Sequence, residues 1–159
     1  MVIKMVTVNK VLEELHLPVN DTQIKITESD IEKIYQHAKK ELPNEACGLL
    51  AGIEEDGVKV IKEVYLLTNI DASNEHFSMD PKEQFAAVKD MRAKGYQLFG
   101  NWHSHPESPS RPSEEDKKLA HDSKADYFIL SLMDEKEPVL NGFTILNHAD
   151  VSRETIIIE

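Results

Sequence analysis

The sequence contains a single cysteine, Cys47, so no disulfide bond can form within the chain. No stretch reaches the roughly 18–20 consecutive apolar residues that a membrane-spanning helix requires. The first ten residues, MVIKMVTVNK, contain neither a long apolar segment nor a cleavage site of small residues, so we expect no signal peptide. Together these absences predict a reduced, cytoplasmic protein that does not contact a membrane.

Positive charge is also scarce. The 159 residues include 18 lysines and arginines against 29 aspartates and glutamates, which gives a formal net charge of −11. Nucleic-acid binding needs a basic surface to neutralise phosphates, so we expect no nucleic-acid partner. Hydrophobic residues make up 40% and charged residues 30%, which is typical of a globular protein, and the length suits one domain.

A first helix is predicted after residue 26. Thr27 or Ser29 can cap its start, because a side-chain oxygen there accepts from a free N–H of the first turn. Pro43 ends the pattern. The apolar face of this helix consists of Ile31, Ile34, Tyr35 and Ala38.

A second helix is predicted from Asp80-Pro81. Asp80 suits the N-cap, Pro81 suits the first helical position, and Glu83 completes a capping box. Gly95 is expected to stop the helix. The spacing predicts a buried stripe formed by Phe85, Val88 and Met91.

The remaining apolar runs are short enough to be strands. They lie at residues 48–53, 58–67, 96–102, 127–132, 142–147 and 154–159. A third helix is expected from Ser113 to about residue 123. Helices interleaved with strands predict an α/β fold of the mixed α+β kind, in which a central mixed β-sheet is flanked by helices.

The first 22 residues stand apart from this pattern. Helical spacing relates Val8, Val11, Leu12 and Leu15, and Pro18 then interrupts it. We interpret residues 1–22 as an N-terminal extension and residues 23–159 as the domain. The extension either packs on the domain as a short helix or pairs with a second copy of the chain, which would give a homodimer.

The first candidate for chemistry is the segment His103-Ser104-His105-Pro106. Residues i and i+2 of an extended chain face the same side, so His103 and His105 can reach a common metal ion while Ser104 faces away. Pro106 and Pro109 stiffen the loop that follows. Taken alone, a His-x-His pair is often two half-exposed histidines on a strand.

Asp116 offers a third ligand. If Ser113 caps the third helix, Asp116 lies in its first turn, and the loop is long enough to bring that turn back to the histidines. Two imidazoles and one carboxylate leave the fourth position of Zn²⁺ free for water. The zinc ion then lowers the pKa of that bound water towards about 7. Ser-x-x-Asp is also an ordinary capping box, so this pattern alone leaves a purely structural interpretation open.

The segment HSHPESPSRPSEED resembles the JAMM/MPN+ (Mov34/PAD-1) metalloprotease motif, which reads His-Ser/Thr-His-Pro, six residues, Ser, two residues, Asp. The matching positions are His103, Ser104, His105, Pro106, Ser113 and Asp116. PNEACGLL is similar to the family's upstream segment, with Glu45 in place of its glutamate, and NEHFSMDPKEQ is similar to its loop-to-helix passage through Phe77. The resemblance covers about residues 24–158 and is closest to the small prokaryotic members.

This resemblance implies an MPN/JAMM-like (cytidine-deaminase-like) architecture and one Zn²⁺ per chain. The implied zinc ligands are His103, His105 and Asp116. Glu45 would be the general base that takes a proton from the zinc-bound water and delivers it to the leaving amine. Ser113 would donate its hydroxyl to the developing oxyanion. Ser104 would orient the loop rather than take part in the chemistry.

The implied activity is that of a zinc metallopeptidase or isopeptidase, similar to a deubiquitinase. It would cleave after the Gly-rich C-terminus of a ubiquitin-like (sulfur-carrier) protein, which would be its partner. One alternative is a non-catalytic MPN scaffold or protein-binding module, but such members lose zinc ligands that this sequence keeps. Another is a non-haem iron or cupin-type protein, which the Ser-x-x-Asp ending disfavours.

The other reactive side chains carry weaker signals. The neighbours of Cys47 are apolar, so we expect a small buried core residue rather than a nucleophile. Trp102 either lines the site or belongs to the core, and we favour the core. No ligand spacing relates the remaining histidines, which are His16, His37, His76, His121 and His148.

Overall fold

The computed structural model describes residues 6–10 and 16–159, and eight strands and three helices lie in these parts of the chain. The strands are β1 (Thr7–Val8), β2 (Val19–Ile26), β3 (Cys47–Glu55), β4 (Val58–Leu67), β5 (Gln97–His105), β6 (Asp126–Ser131), β7 (Val139–Leu146) and β8 (Asp150–Ile158). The helices are α1 (Glu28–Glu41), α2 (Pro81–Ala93) and α3 (Glu114–Lys118). The predicted mixed α+β fold is therefore confirmed.

The strands form one mixed sheet in the order β1-β7-β6-β5-β3-β4-β2-β8. Strand β7 also pairs with β8, so the sheet closes on itself like a barrel, which the sequence pattern did not predict. Strand β5 lies in the middle, antiparallel to β3 and parallel to β6. This arrangement brings the residues just before β3 next to the C-terminal end of β5.

The two longer helices pack on different apolar clusters, and the alternation of side chains along β3 separates these clusters. Leu50 belongs to the cluster that contains the α1 stripe, whereas Leu49 belongs to the cluster that contains α2 residues. Helix α1 matches its prediction, since Thr27 is the N-cap and its hydroxyl accepts from the Asp30 N–H at 3.1 Å. Apolar clusters thus cover both faces of β3.

Helix α2 corrects two expectations. Phe85 is 67% exposed rather than buried, because the inward face of the helix is centred on Ala87 and Met91 instead. Glu83 does not complete a capping box with Asp80. Its carboxylate accepts from both the backbone N–H and the hydroxyl of Thr68, at 2.6 and 2.9 Å, and so fastens the start of α2 to the residue that follows β4.

Helix α3 begins as predicted, with Ser113 as its N-cap, but it ends at Lys118 rather than near residue 123. The Asp122 carboxylate accepts from the Lys124 N–H at 2.9 Å, which favours a turn over further helix. The helix is therefore little more than the turn that carries Asp116.

The N-terminal region is described in part. Strand β1 pairs in parallel with β7, and β2 begins at Val19. Residues 11–15, which carry most of the predicted helical pattern, lie outside the described residues. The division at residue 22 and the pairing with a second copy therefore stay predictions. Within residues 6–10 and 16–159, no helix has the length and apolar character needed to cross a membrane.

Candidate metal centre

The C-terminal end of β5 brings two histidines together. His103 and His105 lie on the same side of the strand, and their Nε2 atoms are 3.1 Å apart. Each residue is only 3% exposed, since neighbouring strands and loops cover the strand end. The hydroxyl of Ser104, between them, accepts from the Ala46 N–H at 2.8 Å, so this side chain is occupied in joining β5 to the residue before β3.

The first turn of α3 brings Asp116 to the same point. Its Oδ2 lies 3.2 Å from His103 Nε2 and 3.1 Å from His105 Nε2. A reciprocal capping box holds the carboxylate there: the Ser113 N–H donates to Oδ2 at 2.9 Å, and the Asp116 N–H donates to Ser113 Oγ at 3.0 Å. The capping box thus leaves Asp116 in a position where its carboxylate could also bind a metal.

The three donor atoms fit a zinc ion. Zinc binds nitrogen and oxygen at about 2.0–2.1 Å in a tetrahedron, which places adjacent donors about 3.3 Å apart. The observed separations of 3.1 to 3.2 Å between the donor atoms of His103, His105 and Asp116 are close to that edge. In the described parts of the chain, these residues form the single cluster of three or more such side chains that can hold a metal.

The pKa shifts of His103 and Asp116 suit a cation, whereas that of His105 favours a protonated ring. Burial lowers the pKa of His103, against the opposing effect of Asp116, and so favours a neutral ring with a free lone pair. For His105, burial lowers the pKa, but hydrogen bonds to Asp116 and to the Pro109 carbonyl outweigh it and raise the pKa above its usual value. Burial would raise the pKa of Asp116, but the histidines hold it well below its usual range, which keeps the carboxylate ionised.

The loop between His105 and α3 fixes the orientation of one ring. The Pro109 carbonyl lies 2.8 Å from His105 Nδ1, an arrangement that places the ring proton on Nδ1 and leaves the lone pair on Nε2, which faces the donor atoms of His103 and Asp116. The Ser110 hydroxyl donates to the Ile129 carbonyl at 2.6 Å and anchors this loop to β6. The Ser131 hydroxyl donates to the Ser108 carbonyl at 2.6 Å and anchors it a second time.

The ring of His103 is held differently. Its Nδ1 is buried without a hydrogen-bond partner among the described residues. The ring of Phe77 stacks on it instead, with centroids 4.8 Å apart and planes inclined by 29°. In the sequence, Phe77 is only part of the segment that is similar to the family's loop-to-helix passage. Nothing there indicates a contact with His103.

Glu45 lies across from His105. The pairing of Cys47 with His103 and the hydrogen bond from the Ser104 N–H to the Ala46 carbonyl, at 3.0 Å, set this register. Glu45 is 3% exposed, and its Oε1 has no hydrogen-bond partner among the described residues. Burial raises its pKa to about 8, although the nearby His105 acts to lower it.

Two residues that contact the Glu45 backbone were not predicted from the sequence, the buried Asn69 and the half-buried Ser73. Asn69 donates to the Glu45 carbonyl, and Ser73 accepts from the Glu45 N–H through its own carbonyl. Both lie in a segment read simply as loop, where no periodic pattern marks a contact. Cys47 and Trp102 are fully buried in the two apolar clusters, as favoured from the sequence.

Known proteins resemble this chain over most of its length. A sequence profile of prokaryotic homologs of the JAB domain matches residues 27–145. The CysO-cysteine peptidase of Mycobacterium tuberculosis is 29% identical over 123 residues, which span 77% of this chain and 83% of that protein. The desampylase of Haloferax volcanii is 29% identical over 94 residues, which span 56% of this chain and 66% of that protein. The solution structure of protein DSY2949 from Desulfitobacterium hafniense superimposes with a TM-score of 0.78 and 48% identity, over 86% of this chain and 92% of that one.

Proposed function

Because this chain belongs to the family of prokaryotic homologs of the JAB domain, we propose that it is a zinc-dependent peptidase. It hydrolyses the peptide or isopeptide bond that follows the Gly-rich C-terminus of a ubiquitin-like protein, such as a sulfur carrier. One observation carries the proposal: the donor atoms of His103, His105 and Asp116 converge to within 3.2 Å next to the buried carboxyl group of Glu45.

Glu45 transfers the proton during hydrolysis. When bound, Zn²⁺ polarises the attacking water and the scissile carbonyl and offsets the negative charge that develops. Glu45 removes a proton from the attacking water and later delivers it to the leaving amine. Its burial supports the second step, because a carboxyl whose pKa is raised to about 8 retains the proton at neutral pH until the leaving amine takes it.

Ser113 supplies a hydrogen bond to the substrate. Its Oγ accepts from the Asp116 N–H at 3.0 Å, which uses a lone pair and leaves the hydroxyl hydrogen available. That hydrogen is donated to the carbonyl oxygen of the scissile bond as its negative charge grows. The N-cap residue of α3 thus orients a metal ligand and polarises the substrate.

The burial of the site favours a substrate with a slender tail. His103 and His105 are each 3% exposed, so bulky side chains at the scissile bond would be obstructed. A glycine-rich tail presents little more than backbone and can approach closely. The name CysO-cysteine peptidase supports a peptidase activity, and this relative spans most of the chain.

The test is a comparison of metal content and hydrolysis. Sulfur-carrier proteins extended beyond their Gly-rich tail are incubated with the zinc-loaded chain, and the products are measured by mass spectrometry. We expect Glu45→Gln to keep one zinc per chain and lose about 10²- to 10⁴-fold in rate, because it removes the base but no ligand. His103→Ala should lose zinc as well. Cleavage at the native rate by Glu45→Gln would refute this mechanism, and binding of carriers without cleavage by any form would indicate a scaffold.

A further inference from the structure

The loop at residues 69–78 is organised around one buried side chain, that of Asn69. Its Nδ2 donates to the carbonyls of Glu45 and His76, at 3.0 and 3.1 Å. Its Oδ1 accepts from the N–H groups of Asp71 and Ser78, both at 3.1 Å. Asn69 is 8% exposed, and both donors and both acceptor positions of its amide are used.

The same loop holds the backbone of Glu45 from both sides. The Glu45 N–H donates to the Ser73 carbonyl at 2.7 Å, and the Glu45 carbonyl accepts from Asn69 at 3.0 Å. The Oε1 atom of Glu45 has no partner among the described residues. The position of its side chain therefore depends on how firmly its backbone is held.

We infer that Asn69 is a positioning residue for the base: its amide locks the 69–78 loop and the Glu45 backbone together, so that the Glu45 carboxylate faces the attacking water. This inference rests on the proposed function. A primary amide is the side chain that meets all four contacts, because it has two donors and an acceptor oxygen in one plane. Asn69 lies outside the set of metal ligands and is not itself a catalytic residue.

Loss of the contact between Asn69 and the Glu45 carbonyl should lower kcat. A displacement of about 1 Å in a reacting group can cost about 10²-fold in rate. The Asn69 amide bonds residues 45, 71, 76 and 78 and none of the proposed metal ligands, so we expect zinc binding and KM to change little. A selective loss of kcat is therefore the expected signature.

The variant for the test is Asn69→Ser. Serine can keep the short turn bond to the Asp71 N–H but cannot reach the Glu45 carbonyl. Asn69→Asp is a second variant, which keeps the shape and the acceptor oxygen but removes both donors. The matched control is Asp71→Asn, since the Asp71 carboxylate bonds Ser78 Oγ and His76 Nδ1 within the same loop, at 2.8 and 2.9 Å, and does not touch Glu45.

We expect both Asn69 variants to lower kcat about 10- to 100-fold, with KM and zinc content within about twofold of the native values. Asp71→Asn should stay close to the native kcat. Native turnover in the Asn69 variants, or an equal loss in Asp71→Asn, would overturn the inference. An inactive native chain, or a fully active Glu45→Gln, would instead count against the proposed function.

Two further measurements separate positioning from a general structural role. In a Glu45→Gln background, Asn69→Ser should change the residual rate by less than about twofold, because the base through which it acts is already gone. A similar loss in both backgrounds would contradict the inference. Independently of activity, hydrogen exchange at the Glu45 N–H should become about tenfold faster in Asn69→Ser and not in Asp71→Asn. Unchanged exchange in Asn69→Ser would also contradict it.

Discussion

Ala46 and Ser104 are joined by two hydrogen bonds. The Ser104 N–H donates to the Ala46 carbonyl at 3.0 Å, and the Ala46 N–H donates to the Ser104 hydroxyl at 2.8 Å. The neighbours of this pair are Glu45 on one side and His103 and His105 on the other. The serine between the two histidines thus sets the distance from the proposed base to the proposed metal.

The variant Ser104→Ala tests this link. It leaves the buried Ala46 N–H without an acceptor, which should cost about 1–3 kcal/mol of stability. We expect Tm to fall by several degrees and kcat to fall with it, because Glu45 is no longer held in register. Ser104→Thr keeps the hydroxyl and should be milder. The control is Ser152→Ala, which removes a serine hydroxyl that bonds Asn20 on β2 and does not touch the centre. If Ser152→Ala lowered kcat as much as Ser104→Ala, the effect of Ser104 would not be local.

The two proposed functions of Ser113 can be separated by substitution. Ser113→Ala removes both the cap and the hydroxyl, whereas Ser113→Gly costs only a few tenths of a kcal/mol as an N-cap. If the hydroxyl stabilises developing charge, both variants should lose about 10²- to 10³-fold in kcat. Thermal unfolding of each variant gives the capping contribution. A glycine variant with native turnover would reduce Ser113 to a cap.

The sequence was sufficient to locate the three converging side chains for a simple reason. Two-residue periodicity along β5 and the start of a capped helix are local patterns. They depend only on residues close together in the sequence and not on how distant segments pack. They predicted that His103 and His105 share a face and that Asp116 lies in a first turn. The assignment of Glu45 came from family resemblance, because no local pattern distinguishes it from the other acidic residues.

The features that the sequence did not predict depend on distant contacts. Closure of the sheet requires β7 to pair with β8 and β8 to pair with β2. The spacing of apolar residues along a strand does not indicate which other strand it pairs with. The inward face of α2 is set by the surface it covers, which is why Phe85 is outside and Ala87 inside. The hydrogen bond from Asn69 to the Glu45 carbonyl likewise joins two segments that no local pattern relates.

Phe77 should affect metal affinity. Its ring stacks on His103, whose Nδ1 has no partner among the described residues, so this contact restrains the ring before the metal binds. An aromatic pair contributes about 0.5–1.5 kcal/mol, so Phe77→Leu should weaken zinc binding roughly 2- to 13-fold. Competition with a chelator measures this change. Phe85→Leu is the control because Phe85 is 67% exposed on α2; equal weakening by both would exclude a stacking effect.

A second polar cluster lies next to Gly100, three residues before His103 on β5. Asp126 pairs there with Gly100 and receives a hydrogen bond from Lys59 Nζ at 2.7 Å. Glu154 is 2% exposed, and its Oε2 accepts from the Thr144 hydroxyl at 3.0 Å. Burial, reinforced by the Asp126 carboxylate, raises the pKa of Glu154 well above its usual value. This shift favours the protonated form of Glu154 in the folded protein at neutral pH.

This protonation predicts a pH-dependent stability. Below pH 4.5, Glu154 is protonated in the folded and unfolded chains alike and has no effect. Above that pH the unfolded chain releases the proton while the folded protein retains it, so stability falls as pH rises. Glu154→Gln carries a neutral group of similar shape and should flatten this decline, stabilising the protein by on the order of 1–3 kcal/mol at pH 8 relative to pH 4. Urea unfolding across this range measures the effect, with Glu55→Gln at the exposed end of β3 as the control. A decline just as steep in Glu154→Gln would show that Glu154 is ionised in the folded protein.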